Sequence, residues 1–418
     1  MFLRFYNLLT ILLSPLIILF FLLRFFISKE TSQSLLEKFV LKKKTRPKGK
    51  LIWINGVSLG EAKSGVTIAK EFLINKPHYT ILLSTSTISA YKEISKQKEK
   101  IILVYLPIDY SFLVRRFIKH WMPDLTIFME SEIWPNIINE LNNNKLRFTI
   151  INGRISDKSF FWWKTFNFLT KSIFQKISSC ITQDEISSIR FKKLGVKAVK
   201  QGSNIKFLSK KLVYDEKDFL FLKKKLNKRI IITFFSSHKN EETILIECFK
   251  YLKKNFKNLL FIIIPRHLKN SLNIKENLKK NKFCFGIRSF KHDFKNDHNF
   301  YIADTFGELG LFFALSKLSI VGGSFSKKGG HNPIEASHFK SAVIFGPNMK
   351  NFKKIKDKIL QTKSGFQVSN TEQLTKKISD LLNNKNLFKK TINNFEKLRV
   401  YEAKKVKILI KQECDKIK

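Results

Sequence analysis

The sequence predicts an α/β protein: two parallel-sheet, Rossmann-like halves behind an apolar N-terminal helix. Short runs of Ile, Leu, Val and Phe alternate with helix-period segments along most of the 418 residues, the rhythm of parallel strands covered on both faces by crossover helices. The rhythm breaks once, in a polar, lysine-rich passage over residues 202–228, and then resumes. Polar and glycine-rich groups recur directly after the apolar runs, where open parallel sheets bind their ligands. A chain of this length buries the cores of two ordinary domains. Its 44% apolar and 27% charged residues describe a folded protein.

In chain order, residues 5–23 come first, an uncharged run rich in Leu, Ile and Phe. They match the roughly 20 residues that a helix needs to cross a bilayer. The run ends in Arg24, Phe25, Phe26, Ile27, Ser28 and Lys29, with no small-residue cleavage site, which favours an anchor over a cleaved signal peptide. Arg24, Lys29, Lys42, Lys43, Lys44 and Arg46 follow it, against Arg4 alone before it. That asymmetry predicts that the body of the protein lies on the cytoplasmic side. Pro15 interrupts the run and Arg4 and Arg24 bracket it closely, so a helix lying in the interface is the alternative to a spanning one.

Strands are expected over residues 51–55, 80–84, 101–105, 125–129 and 148–152, with helices over 61–73 and through Tyr91. After the polar passage a second series covers 230–234, 259–264, 300–303, 318–321 and 342–345, and the chain from about residue 374 reads as helical. The expected organisation is an anchor over 1–28, a first domain over 29–205 and a second over 206–418 that includes the C-terminal helices.

The formal net charge is +45, which points to nucleic acid, an anionic membrane surface or a phosphorylated substrate. The lysines are scattered over residues 42–418, not gathered in one arm, so compositional bias supplies much of the excess. No helix-turn-helix, RNP or zinc-knuckle pattern accompanies the charge, and nucleic acid is not expected as a partner. Cys180, Cys248, Cys284 and Cys414 lie far apart without a CxxC pair. They form neither a zinc site nor a disulfide framework and suit a reducing compartment.

The chemistry sits at the strand ends. Over residues 322–347, a strand leads into a turn containing Gly322, Gly323, Gly329 and Gly330. Asn332 then reads as a helix N-cap with Pro333 at the first helical position. A glycine loop before a helix N-terminus offers backbone N–H groups to an anion. Glu335, on the first helical turn, could accept hydrogen bonds from a ribose or cap its own helix, since Asn332-x-x-Glu335 fits a capping box. In the first half, Asn55, Gly56, Val57, Ser58, Leu59, Gly60 and Glu61 follow the first strand. Glu61 is a candidate general base near a helix N-terminus, or again a box partner of Ser58. Glu130 and Glu132, beside Trp134, Pro135 and Asn136, follow an apolar strand. Buried acids there should have shifted pKa values, while an exposed helix start is the plainer alternative. Lys206 stands beside a Gly202-Ser203-Asn204 turn and could meet a phosphate. Further strand-end groups are Ser236, Ser237, His238 and Glu241; Pro265, Arg266 and His267; and Asp304, Thr305, Phe306, Gly307, Glu308 and Leu309. No D-x-D pair stands among them to hold a divalent metal on a diphosphate.

Together these groups resemble the Kdo (3-deoxy-D-manno-octulosonic acid) transferases of Gram-negative lipopolysaccharide biosynthesis. V-S-x-G-E appears as Val57, Ser58, Gly60 and Glu61. E-x-E-x-W-P-N appears as Glu130, Glu132, Trp134, Pro135 and Asn136. P-R-H appears as Pro265, Arg266 and His267, G-E-L as Gly307, Glu308 and Leu309, and G-G-H-N-x-x-E as Gly329, Gly330, His331, Asn332 and Glu335. The resemblance covers essentially the whole chain. It implies a GT-B glycosyltransferase fold with the acceptor, a lipid A precursor, bound by the first domain and the CMP-Kdo donor by the second, across a cleft. It implies that Glu61 is the base, and that Glu132, Glu130 and Lys206 stabilise the transition state. CMP would lie against Pro265 and Arg266, against Phe306, Gly307 and Glu308, and against Asn332, Pro333, Ile334 and Glu335. The implied reaction is inverting, needs no metal or other cofactor, and takes place at the cytoplasmic face of the inner membrane beside anionic lipid. A UDP-sugar enzyme of the same fold is the rival, since many of those also lack a metal clamp. The chain departs from the family pattern at Asn55, where a His is expected, and at Leu268, where Pro often follows the P-R-H. The first departure puts in doubt any acceptor contact made by that His.

Overall fold

The computed structural model describes residues 2–96, 101–226, 228–290 and 294–417. The chain forms two compact units, one of Met1–Leu208 with Glu402–Lys418 and one of Ser209–Tyr401.

The first unit is built on seven strands: β1 Leu51–Asn55, β2 Thr80–Thr85, β3 Ile101–Tyr105, β4 Leu125–Met129, β5 Arg147–Gly153, β6 Ser179–Thr182 and β7 Val199–Gln201. They pair in parallel in the order β3-β2-β1-β4-β5-β6-β7. Side chains alternate across a strand. In β1, Leu51 and Trp53 therefore join one core, with Phe117, Phe128 and Phe148, while Ile52 and Ile54 join another, with Ile68, Phe72 and Ile127. A sheet buried on both faces accounts for the unbroken apolar runs. Strand order turns back between β1 and β4, which makes the carboxyl ends of these strands the switch point.

Residues 402–418 pack with this first unit. Val406, Ile410, Cys414 and Ile417 enter the core that holds Ile52 and Ile54. Glu413 is fully buried and accepts from Arg147 Nη2 at 3.0 Å and Ser179 Oγ at 2.9 Å. This corrects the assignment of the whole of 206–418 to the second domain. The four-residue spacing of the apolar stripe shows in the sequence, but not which sheet it covers.

The apolar N-terminal run is two helices, α1 Phe2–Leu12 and α2 Ser14–Phe26, bent by 56°. Pro15 stands in the first turn of α2, where its ring and missing N–H are compatible with a helix start but not with an unbroken helix. Among the described residues no single helix is long and apolar enough to cross a membrane, though the bent pair passes on length and composition. Phe2, Leu3 and Ile17 pack on the first core, whereas Phe5, Leu12, Leu16 and Phe26 are exposed. Tyr6 Oη also donates to the buried Asp109 carboxylate at 3.0 Å.

The second unit repeats the plan with β8 Ile230–Ser237, β9 Leu259–Pro265, β10 Phe285–Ile287, β11 Phe300–Ile302, β12 Leu318–Val321, β13 Ala342–Phe345 and β14 Gly365–Gln367. The order is β10-β11-β9-β8-β12-β13-β14, again parallel throughout. Here the switch point lies between β8 and β12. The register of β8 shifts at Ser236, whose φ is 56°. Gly322 sits so close to this bulge that a Cβ would lie 2.3 Å from the Ser236 carbonyl oxygen. Only glycine lets the ends of β8 and β12 approach in this way.

Candidate active site

In the first unit, three carboxylates and one lysine gather at the switch point. Glu61 lies on the first turn of the helix Leu59–Asn75, where Ser58 Oγ accepts from its N–H at 3.3 Å and Glu61 Oε2 accepts from the Ser58 N–H at 3.1 Å. The capping box is therefore formed in full. Gly56 permits it, because the helix start packs so tightly on the β1 turn that a Cβ would stand 2.6 Å from the Ala62 nitrogen.

Glu130 follows β4 directly, in left-handed backbone with φ 60°. Its amide donates to the Ile151 carbonyl at 3.1 Å. Burial pushes the Glu130 carboxyl above its usual range and the neighbouring Glu61 charge adds to this, while Lys206 and Arg154 work against it. Burial also pushes Glu132 up, to about 7, with Glu61 and Glu130 adding and the Trp134 hydrogen bond opposing. That bond, Trp134 Nε1 to Glu132 Oε2, is 2.8 Å long. Glu61, Glu130, Glu132 and Lys206 thus share one electrostatic environment, and the exposed-helix-start alternative for the two acids does not hold.

Two residues that the sequence did not single out organise this group. Asn152, at the end of β5 with φ 61°, donates to Glu130 Oε1 at 3.5 Å and accepts from the Ile205 N–H at 3.1 Å. One amide side chain so links the Glu130 loop to the turn that carries Lys206. Asp109 accepts from the Asn136 and Ile137 N–H groups at 3.1 and 3.0 Å. It fixes the start of the helix Pro135–Asn143, which follows the Glu132–Trp134 contact. Burial raises the Asp109 carboxyl to about 7 against those bonds. The sequence signal was present in both cases, a polar residue ending an apolar run, but its partners lie far along the chain.

In the second unit, Glu241 holds the switch point. Its buried carboxylate accepts from the His238, Gly323 and Phe325 N–H groups at 2.9, 2.7 and 3.1 Å, tying the β8 turn to the glycine loop after β12. His238 and His331 face each other with their Nε2 atoms 2.9 Å apart, and His267 stands edge-on to His238. Arg266 follows β9, exposed, its N–H donating to the Ser237 carbonyl at 2.9 Å.

The helix expected after Asn332 is a single turn, Ile334–Ser337, with Pro333 at the N-cap. Asn332 Oδ1 accepts from the Ile334 N–H at 3.2 Å, and its Nδ2 donates to Glu335 Oε1 at 3.0 Å. Asn332 caps from one position earlier than expected, and Glu335 takes the Asn332 side-chain amide in place of a backbone N–H, so the reciprocal box is not made. So short a helix carries little macrodipole, which removes most of the expected anion preference at that terminus. Phe306 and Gly307 are exposed, but Glu308 is bound by the Arg288 guanidinium at 2.6 Å and by the Thr305 hydroxyl. Burial alone would raise the Glu308 carboxyl; those two bonds outweigh it and hold the group below its usual range. Pro265 and Ile334 are core or turn residues with buried side chains.

Two seven-stranded parallel units with polar groups at each switch point make the GT-B fold. A solved glycosyltransferase from Rickettsia africae shares the fold with a TM-score of 0.60 at 15% identity, covering 89% of this chain and 100% of its own. The family model for 3-deoxy-D-manno-octulosonic-acid transferase matches residues 33–209. A 3-deoxy-D-manno-octulosonic acid transferase of Rickettsia bellii is 33% identical over 97% of this chain and 95% of its own length. That of Haemophilus influenzae is 31% identical over 91% of each. The chain belongs to the 3-deoxy-D-manno-octulosonic acid transferase family. It is a glycosyltransferase, and the sugar of its family is Kdo.

Proposed function

We propose that this enzyme moves Kdo from CMP-Kdo to a hydroxyl of a lipid A precursor of the lipid IVA type, as a step of lipopolysaccharide core biosynthesis. CMP leaves in an inverting displacement at the anomeric carbon that uses no metal. The observation that carries the reading is the cluster of Glu61, Glu130 and Glu132 with Lys206 in a Kdo transferase chain.

In this reading Glu61 takes the proton of the acceptor hydroxyl as it attacks. Capping and catalysis are compatible here, because Oε2 receives the Ser58 N–H and Oε1 is the oxygen that accepts the proton. Glu132, with its carboxyl raised to about 7, carries a proton part of the time near neutrality and can donate a hydrogen bond to developing charge. Glu130 and Lys206 set the local field. On the donor side, Arg266 meets the phosphate, Phe306, Gly307, Asn332 and Glu335 line the nucleoside, and the buried Pro265, Pro333 and Ile334 shape that surface from beneath. Because Glu308 is committed to Arg288, its contribution is backbone and position. Negative charge grows on the departing phosphate, where Arg266 offsets it in place of a metal.

The proposed location is the cytoplasmic face of the inner membrane. The exposed apolar residues of α1 and α2 support it, as do exposed Phe161, Trp162, Phe166 and Phe168 among Lys158, Lys164 and Lys171.

The test is incubation of the full chain with CMP-Kdo and a tetra-acylated disaccharide bisphosphate, following CMP and the product mass. Wild type should release CMP and add Kdo. Glu61→Gln should lose at least about 100-fold in transfer while CMP affinity stays unchanged. No CMP release by the wild type, or turnover of a UDP-sugar instead, would overturn the assignment; full turnover in Glu61→Gln would move the base elsewhere.

A further inference from the structure

The His238–His331 pair lies outside the roles assigned above. The rings are stacked at 9° with centroids 5.2 Å apart, and the two Nε2 atoms are 2.9 Å apart. Two imidazoles can meet this way only if one Nε2 carries a hydrogen and the other offers its lone pair. In the neutral pair the donor ring then has a bare Nδ1. One further proton, placed on that Nδ1, leaves the Nε2–H···Nε2 bond intact. A second would put hydrogens on both facing nitrogens and break it. The pair therefore holds one additional proton and no more.

The surroundings decide when that proton is present. The two rings pack against Gly323, where a Cβ would lie 3.2 Å from each, so they border the glycine loop directly. The β8 turn contributes the Glu241 carboxylate, which accepts from the His238 backbone N–H. Arg266 after β9 and Lys328 in the glycine loop add positive charge, and His267 after β9 stands edge-on to His238. Burial first lowers both histidines; His267, Lys328 and Arg266 lower His238 further, and His238, Arg266 and His267 lower His331, to about 4. Without a ligand the pair is neutral at pH 7. An anion placed among Arg266, Lys328 and the loop reverses the charge part of that lowering and gives the pair's extra proton a counter-charge.

We propose that His238 and His331 act as a single proton acceptor that charges when a phosphate-bearing nucleotide settles beside the glycine loop. The proton comes from solvent, and the charged pair then strengthens the hold on the phosphate. In turnover this matters most as CMP departs, because the phosphate changes from a diester monoanion to a monoester that can become a dianion. The inference rests on the donor-site reading given above. It adds a proton inventory that the reading does not require.

Calorimetric titration of the full chain with CMP at pH 7, in two non-phosphate buffers of very different ionisation enthalpy, tests it. Wild type should show net proton uptake approaching one per CMP bound, and His331→Gln and His238→Gln should each lose it while still binding CMP. Cytidine, which lacks the phosphate, should bind without uptake. CMP binding with no buffer dependence in wild type overturns the proposal and leaves the donor site standing. Unchanged uptake in both variants overturns it as well. Failure of wild type to bind CMP at all overturns the donor-site reading instead.

Discussion

Glu132 shows how a single residue in this site is held at a cost to the fold. Its carboxyl is raised from 4.5 to about 7, first by burial and then by Glu61 and Glu130. A carboxyl whose folded-state pKa lies above the unfolded one binds its proton more tightly when folded. Stability contributed by that group is present below about pH 4.5 and declines as pH rises through about 7. Replacing it with a neutral isostere removes the decline. Glu132→Gln is therefore expected to be more stable than wild type at pH 8, by about 1–2 kcal/mol after allowance for its partial exposure. The difference should vanish near pH 4.5. Thermal unfolding across that range checks it, and a variant that is destabilised at every pH would mean that the acid is held mainly by favourable contacts. Among residues, Glu130 and Glu132 were legible as candidates because two acids directly after an apolar strand are hard to explain by packing, and Glu61 because it stands near a helix N-terminus, where it also caps. Asn152 was not, because its partners Glu130 and Ile205 lie 22 and 53 positions away.

At the scale of elements, ten strands were readable from apolar runs, and β6, β7, β10 and β14 were not. β7, β10 and β14 have three residues each and all three end their sheets, so they carry little apolar surface and no clear period. β6, Ser179–Thr182, is buried but half polar. The same reasoning covers the C-terminal segment, whose stripe was visible but whose partner sheet was not. Glu413 makes that partner testable. Its carboxyl is pressed upward by burial, but Lys416, Arg147 and Ser179 more than offset this and leave it below the ordinary range. The pairing stabilises the fold above about pH 4.5, and the contribution is lost as pH falls through the lowered value. Glu413→Ala leaves Arg147 and Ser179 without this acceptor and is expected to cost about 3 kcal/mol at pH 7. Hydrogen exchange should show β5 and β6 losing protection. A loss confined to the second unit would contradict the packing described for residues 402–418.

For the whole molecule, the +45 charge and the exposed apolar residues of α1, α2 and the 161–168 segment make a joint prediction. The full chain should bind vesicles containing anionic phospholipid much more tightly than neutral ones, and added salt should weaken that binding steeply. Phe161→Ser with Phe168→Ser should reduce partitioning at high salt, where the apolar contribution dominates. Sedimentation with vesicles of stated composition measures both effects, and equal binding to neutral vesicles at all salt concentrations would remove the electrostatic part. What the sequence by itself determined is the local grammar: apolar strands, glycine turns, acids at strand ends, and a family pattern in Val57–Glu61 and Glu130–Asn136. Those features are set by backbone sterics and by residues within a few positions of each other. Only the tertiary structure decided which groups share a field. It brought Glu61 to Glu130 and Glu132, Asn152 to the Lys206 turn, Glu413 to Arg147, and His238 to within 2.9 Å of His331. A pKa or a shared proton depends on distance in space and on burial, and neither quantity is a property of position along the chain.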